Sequence, residues 1–189
     1  MRRISLVVFG FVLGTALLAL FSPDALSQGE GAIVVTLGKD SPSVGKDAFV
    51  TFSLSTVEAV KVGKITSEIS FPNTGAIELD RAELTPDMKS GGATIQAEKG
   101  SEGGSTAGLK LTITSKQPIL DGILANIVFK VLNRPTGDKF PGEEQKVKLD
   151  HKATAWTVDG KEISVVTSEA GEVDFEYAPV VFACFFYMH

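Results

Sequence analysis

What most constrains this chain is a period of two that runs through much of its length. In DAFVTFSLS (Asp47–Ser55) the even positions Ala48, Val50, Phe52 and Leu54 are apolar, and the odd ones, Phe49 apart, are polar. GLKLTIT sets Leu109, Leu111 and Ile113 against Lys110, Thr112 and Thr114. ATIQAE repeats this more weakly, with Ala93, Ile95 and Ala97 against Thr94, Gln96 and Glu98. Successive side chains of a strand point to opposite faces, so these are strands with one buried face, the habit of antiparallel sheets. Further strands are expected at Ala32–Leu37, Ile65–Phe71, Ile77–Leu84, Gln145–Val158, Glu162–Thr167 and Gly171–Phe175. The nearest approach to a helical period, EAVKVGKI, is interrupted by Gly63. Eight or nine short strands with no helix between them describe an all-β, two-sheet sandwich.

Turn residues separate the strands. Val158-Asp159-Gly160-Lys161 is the strongest signal, because Asp-Gly suits a two-residue hairpin turn with positive φ. Ser43–Lys46, Pro72–Gly75 and Arg134–Gly137 are further stops. The stretch KSGGATIQAEKGSEGGSTAG has six glycines around one weak strand, which predicts loops on either side of it.

The ends read differently. Met1-Arg2-Arg3, an apolar run from Ile4 to Phe21, Pro23 and then Ala25-Leu26-Ser27 form the pattern of a secretory signal peptide over residues 1–27. The run is also long enough to serve as an uncleaved membrane anchor, which takes about 20 apolar residues. A sandwich domain over residues 28–176 follows, then an apolar tail, YAPVVFACFFYMH, over 177–189. Of 18 basic and 23 acidic side chains, cleavage after Ser27 removes Arg2, Arg3 and Asp24 and shifts the net charge from -5 to -6. That charge argues against nucleic acid, whose phosphates need basic partners. An exported chain whose only cysteine is Cys184 has no internal disulfide and must be held by packing.

No catalytic constellation emerges. His151 shares its parity with Val147, Leu149, Ala153 and Ala155 and reads as a core histidine. His189 is the last residue, and Cys184 lies in the apolar tail. Two distant histidines and one cysteine make no metal site, and no cofactor is called for. Glu78 and Asp80 share one face of a strand, with Glu83 on the other parity; they read as a solvated face rather than an acid–base pair. Trp156 alternates with Thr154, Lys152 and Lys148 on the polar side of its strand. It either stacks on a sugar ring or plugs the end of the sandwich.

Taken together, these segments resemble the cohesin family. SVGKDAFVTFSLSTV (Ser43–Val57) is similar to the family's opening strand. GKITSEISFPNTGAIEL (Gly63–Leu79) stands where that family has a strand and turn, with Phe71-Pro72-Asn73 in place of Tyr-Asp-Pro. DGILANIVFKV (Asp121–Val131) is the nearest match, and VKLDHKATAWTVDGKEISV followed by AGEVDF is similar to the closing hairpin and last strand. The four motifs keep the family's order across residues 31–175.

The resemblance implies a nine-stranded jelly-roll sandwich and a non-catalytic module. Such modules grip dockerins, small calcium-binding helical domains, outside the cell in polysaccharide breakdown. It implies a binding face on the strand Gly63–Phe71. There alternation turns Ile65, Ile69 and Phe71 inward and Lys64, Thr66, Glu68 and Ser70 to solvent. It also implies that Ala125, Ile127, Phe129 and Val131 lie in the core, with Leu124 and Val128 covered by a neighbouring loop. The alternatives are a carbohydrate-binding module that uses Trp156 on a polysaccharide, and a structural or adhesive envelope domain.

Overall fold

A computed structural model of the chain describes residues 33–56, 60–100, 104–135, 145–168 and 170–175. The signal sequence and apolar tail expected at the two ends fall outside the described residues. The elements are β1 (Ile33–Leu37), β2 (Lys39–Asp40), β3 (Asp47–Thr56), β4 (Val62–Pro72), β5 (Ile77–Leu84), α1 (Pro86–Ser90), β6 (Thr94–Lys99), β7 (Thr106–Ile119), β8 (Gly122–Val131), β9 (Lys146–Thr157), β10 (Glu162–Ile163), β11 (Val165–Thr167) and β12 (Gly171–Asp174). They form two sheets. The smaller has the order β11-β1-β3-β8-β5; the larger runs β2-β12-β9-β4-β7-β6, with β10 added beside β9. The β1–β11 and β2–β12 pairs are parallel and the rest are antiparallel. The fold is the expected all-β sandwich. Among the described residues it has twelve strands, three of them with three residues or fewer.

Alternation supplies the core. Val50 and Phe52 of β3, Ile65 and Ile69 of β4, Leu111 and Ile113 of β7 and Leu149 of β9 are all buried between the sheets. Phe71 of the larger sheet meets Phe129 of the smaller edge to face, with ring centroids 5.4 Å apart and planes at 83°. Rings that meet this way set the positive edge of one against the negative face of the other.

Several local expectations are corrected, and most of the corrections trace to bulges. A register shift opposite Phe52 and Ser53 turns both Leu124 and Ala125 of β8 into the core and leaves Ile123 exposed. Leu124 is thus a core residue and needs no covering loop. Val128 does lie on the outer face, buried between its register partners Phe49 and Arg81. In β5 a second shift falls between Leu79 and Arg81, so Glu83, opposite Asn126, ends on the same outer face as Glu78, opposite Lys130. The parity separating Glu83 from Glu78 and Asp80 does not survive it.

The Asp-Gly hairpin has a three-residue loop, not two. Thr157 N–H donates to the Lys161 carbonyl at 2.8 Å, and Gly160 N–H to the Thr157 carbonyl at 3.0 Å. Gly160 takes φ 81°, the left-handed position such loops require. The run Glu162–Thr167 splits, β10 pairing in the larger sheet and β11 in the smaller. Finally, Pro86 opens a single helical turn, α1, too short to show a period.

Candidate binding face

β4 holds the centre of the larger sheet, with β9 on one side and β7 on the other. Its burial alternates as the sequence dictates: Ile65, Ser67, Ile69 and Phe71 inward, and Lys64, Thr66, Glu68 and Ser70 outward. Register then selects their neighbours. Lys64 lies between Trp156 and Thr114, Thr66 between Thr154 and Thr112, Glu68 between Lys152 and Lys110, and Ser70 between Asp150 and Gly108. β6 extends the rows with Thr94 opposite Thr114, Gln96 opposite Thr112 and Glu98 opposite Lys110. The four residues read from the sequence thus form the central column of a four-strand polar face. The flanking columns were not legible from β4 itself, because which strands neighbour it is decided by contacts far apart in the chain.

Two features give the face its character. The first is a row in which charge alternates across the strands: Lys152, Glu68, Lys110 and Glu98. Among the described residues none of these four has an ion-pair partner within 4.0 Å. The second is a groove of ≈ 610 Å³ at one end of the face, lined by Ser70, Gly100, Gly108, Lys110, Asp150 and Lys152 among others. Small residues create it. A Cβ on Gly100 would stand 3.2 Å from the Gly108 backbone, tighter than ordinary contact, whereas one on Gly108 would meet Gly100 at an ordinary 3.6 Å. His151 keeps the core parity expected of it and borders this groove, half-buried.

At the other end of the face the Lys64 ammonium sits 4.9 Å from the centre of the Trp156 ring, a cation–π contact. Trp156 therefore lies on the outer face beside Lys64, not plugging the sandwich. Phe49, an exposed aromatic that could extend a stacking platform, belongs to the opposite sheet. The two make no common row.

The outer face of the smaller sheet is different, because its charges are already paired. Arg81 bonds to Asp80 and Glu83, and the Lys130 ammonium lies 3.0 Å from the other Asp80 oxygen. The hydrogen bonds from Lys130 and then Arg81 hold the Asp80 carboxyl below the usual carboxylate range. Glu78 makes a longer contact with Lys99, at 3.5 Å. These acids are occupied as ion-pair partners. Among the described residues no group of three or more His, Cys, Asp or Glu is placed to hold a metal ion.

Comparison with solved structures agrees with this architecture. A non-cellulosomal cohesin from the hyperthermophilic archaeon Archaeoglobus fulgidus superposes with a TM-score of 0.56 at 20% identity, covering 77% of this chain and 92% of that one. The chain shares the cohesin-like sandwich fold. A cohesin of Clostridium acetobutylicum gives 0.57 at 17% identity, over 76% of this chain and 90% of its own. A type I cohesin–dockerin complex from Clostridium thermocellum gives 0.59 at 12% identity, over 77% and 93%. No protein-family model matches the chain, and no curated protein matches it. At these identities the likeness is one of fold: the cohesin-like sandwich is shared, while the faces carry this chain's own residues.

Proposed function

We propose that the cohesin-like domain is a non-catalytic protein-binding module that takes a dockerin-like partner on the outer face of its larger sheet. The row Lys152, Glu68, Lys110 and Glu98 carries the reading, because its charges are displayed but not neutralised by ion pairs among the described residues. Exposed charges held in fixed register steer and align a partner of complementary pattern. Four strands and seven residues of β4 span roughly 20 by 25 Å, from spacings of about 4.8 Å between strands and 3.4 Å per residue. That is the order of area one side of a specific complex supplies. Solved structures of similar fold include cohesins in complex with dockerins, which supports the choice of partner. The leader pattern of residues 1–27 supports export, with a role in extracellular polysaccharide breakdown or surface assembly.

The test is charge reversal at the central column. Lys64→Glu with Glu68→Lys is expected to weaken binding to a dockerin that the native chain binds by about tenfold or more, about 1.4 kcal/mol, with an unchanged circular dichroism spectrum. Calorimetric titration of a dockerin panel measures it. Equal affinities for the native and reversed proteins would remove this face from the site. Binding to insoluble polysaccharide that disappears with Trp156→Ala would replace the protein partner with a glycan.

A further inference from the structure

A sheet edge presents main-chain N–H and C=O groups with no partner, and soluble proteins guard such edges with bulges, charges or brevity. Among the described residues the edge strands are β11 and β5 in the smaller sheet and β2, β6 and the two-residue β10 in the larger. β11 and β2 have three and two residues. β5 is broken by its register shift and carries Glu78, Asp80, Arg81 and Glu83. β6 is the longest unbroken edge: Thr94–Lys99 pairs with β7 in continuous register and, among the described residues, with no other strand, and its two charges, Glu98 and Lys99, lie together at one end.

Its free groups can be assigned. Gly100 N–H donates to the Gly108 carbonyl at 2.8 Å, one step beyond the β6–β7 ladder. Bonded residues alternate along an antiparallel pair, so Thr94, Gln96 and Glu98 turn their main chain to β7, and Ile95, Ala97 and Lys99 turn theirs outward. The side chains also leave room. Ala97 is exposed despite its core parity, and Ile95 is only partly covered.

We propose that β6 pairs antiparallel with β6 of a second copy of this chain, about a twofold axis at Gln96. In that register Ile95 faces Ala97 of the second copy and exchanges main-chain hydrogen bonds with it. Thr94 faces Glu98, and Gln96 faces itself. No like charges meet, and the apolar pair covers what one copy leaves bare. An axis at Glu98 would oppose two carboxylates. An axis at Ala97 would set Lys99 against Ile95 and draw it from Glu78, its partner at 3.5 Å. The dimer joins the two larger sheets edge to edge and lays two copies of the polar face side by side. One strand pair with its flanks buries less than about 1,200 Å², which places the association at the weak end of specific contacts.

Sedimentation velocity on the full chain, across a concentration series reaching about 100 µM and above, the range suited to so small a contact, tests it. The expected result is a reversible monomer–dimer equilibrium. Ala97→Pro should abolish it, because proline has no N–H and the one removed points away from β7. Gln96→Asp and Gln96→Lys should each weaken it about fivefold by setting like charges opposite one another. Their equimolar mixture should associate at least as well as the native chain, through the Asp–Lys pair. A chain that stays monomeric throughout overturns the proposal. So does association that Ala97→Pro leaves intact, or a mixture no tighter than either Gln96 variant alone.

Discussion

Replacing Phe129 with alanine tests the packing of the sandwich at its most enclosed point. Phe129 is fully buried on β8, the strand held between β3 and β5. Its register partners are Ala48 and Leu79, and its ring meets Phe71 across the two sheets. Truncation removes roughly 100 Å² of apolar surface, about 2.5 kcal/mol at about 25 cal/mol per Å². If half of roughly 100 Å³ stays empty, the cavity adds about 1.2 kcal/mol at about 24 cal/mol per Å³. Loss of the edge-to-face contact adds about 0.5–1.5 kcal/mol. The sum, about 4–5 kcal/mol, is a large part of the 5–15 kcal/mol that holds a typical domain folded. Strands hydrogen-bonded on both sides of β8 limit any collapse that would relieve the cavity. Urea melts followed by the fluorescence of the single tryptophan measure the cost. The Phe71→Leu and Phe129→Ala cycle isolates the ring–ring part. A loss under about 1 kcal/mol, far below the range for a buried aromatic, would show that Phe129 does not pack between the sheets.

Other perturbations follow from the same structure. Ser67 is wholly buried, and its hydroxyl has no hydrogen-bond partner among the described residues, so Ser67→Ala should raise stability by about 1 kcal/mol in the same melts. A fall would show that the hydroxyl is satisfied. Gly63 sits at the register shift of β4, where a Cβ would stand 2.7 Å from the Val158 Cα; Gly63→Ala should cost about 1–3 kcal/mol by overpacking. A neutral effect would place Val158 farther away. Glu172 lies 2.9 Å from the Lys39 ammonium and 3.3 Å from that of Lys146, and the Lys39 hydrogen bond foremost holds its carboxyl below the ordinary range. A lowered folded pKa means stability fully present above the unfolded value and lost as pH falls through the folded one. The acid limb of a stability–pH curve should therefore flatten in Glu172→Gln, and an unchanged limb would refute the pairing.

Much of the fold was legible because burial writes itself into a period of two. Phe52, Leu111 and Ile69 could be assigned to the core from their neighbours alone, since a strand with one buried face has no other way to sort its side chains. What escaped was anything that breaks the period. The bulges at Leu124 and Asp80 each add one residue, and one residue exchanges the faces of everything beyond it. No composition signal marks them: Asp80 stands among ordinary strand residues, and Leu124 is as apolar as its neighbours. Gly63 did signal. Read as a helix breaker, it proves to be where β4 shifts register and the Val158 backbone passes close by. The helix α1 was missed because a single turn shows no period, although Thr85-Pro86-Asp87 has the proline of a helix start.

The candidate face divides the same way between what is local and what is not. Lys64, Thr66, Glu68 and Ser70 needed only the parity of one strand. Lys152, Lys110 and Glu98 needed to know that β9, β4, β7 and β6 lie side by side, an order set by loops and core packing across some ninety residues of sequence separation, and periodicity carries no trace of it. Yet those three residues give Glu68 its meaning. A lone exposed glutamate on a strand is unremarkable, whereas the same carboxylate with a lysine on either side, none of the three held in an ion pair among the described residues, is one element of a pattern. On the opposite sheet Asp80, Arg81, Glu83 and Lys130 show what this chain does with charges it keeps for itself: they close on one another. The contrast between the closed and the open cluster, both at solvent and only a sandwich apart, supports the proposal that the larger sheet is the face turned toward a partner.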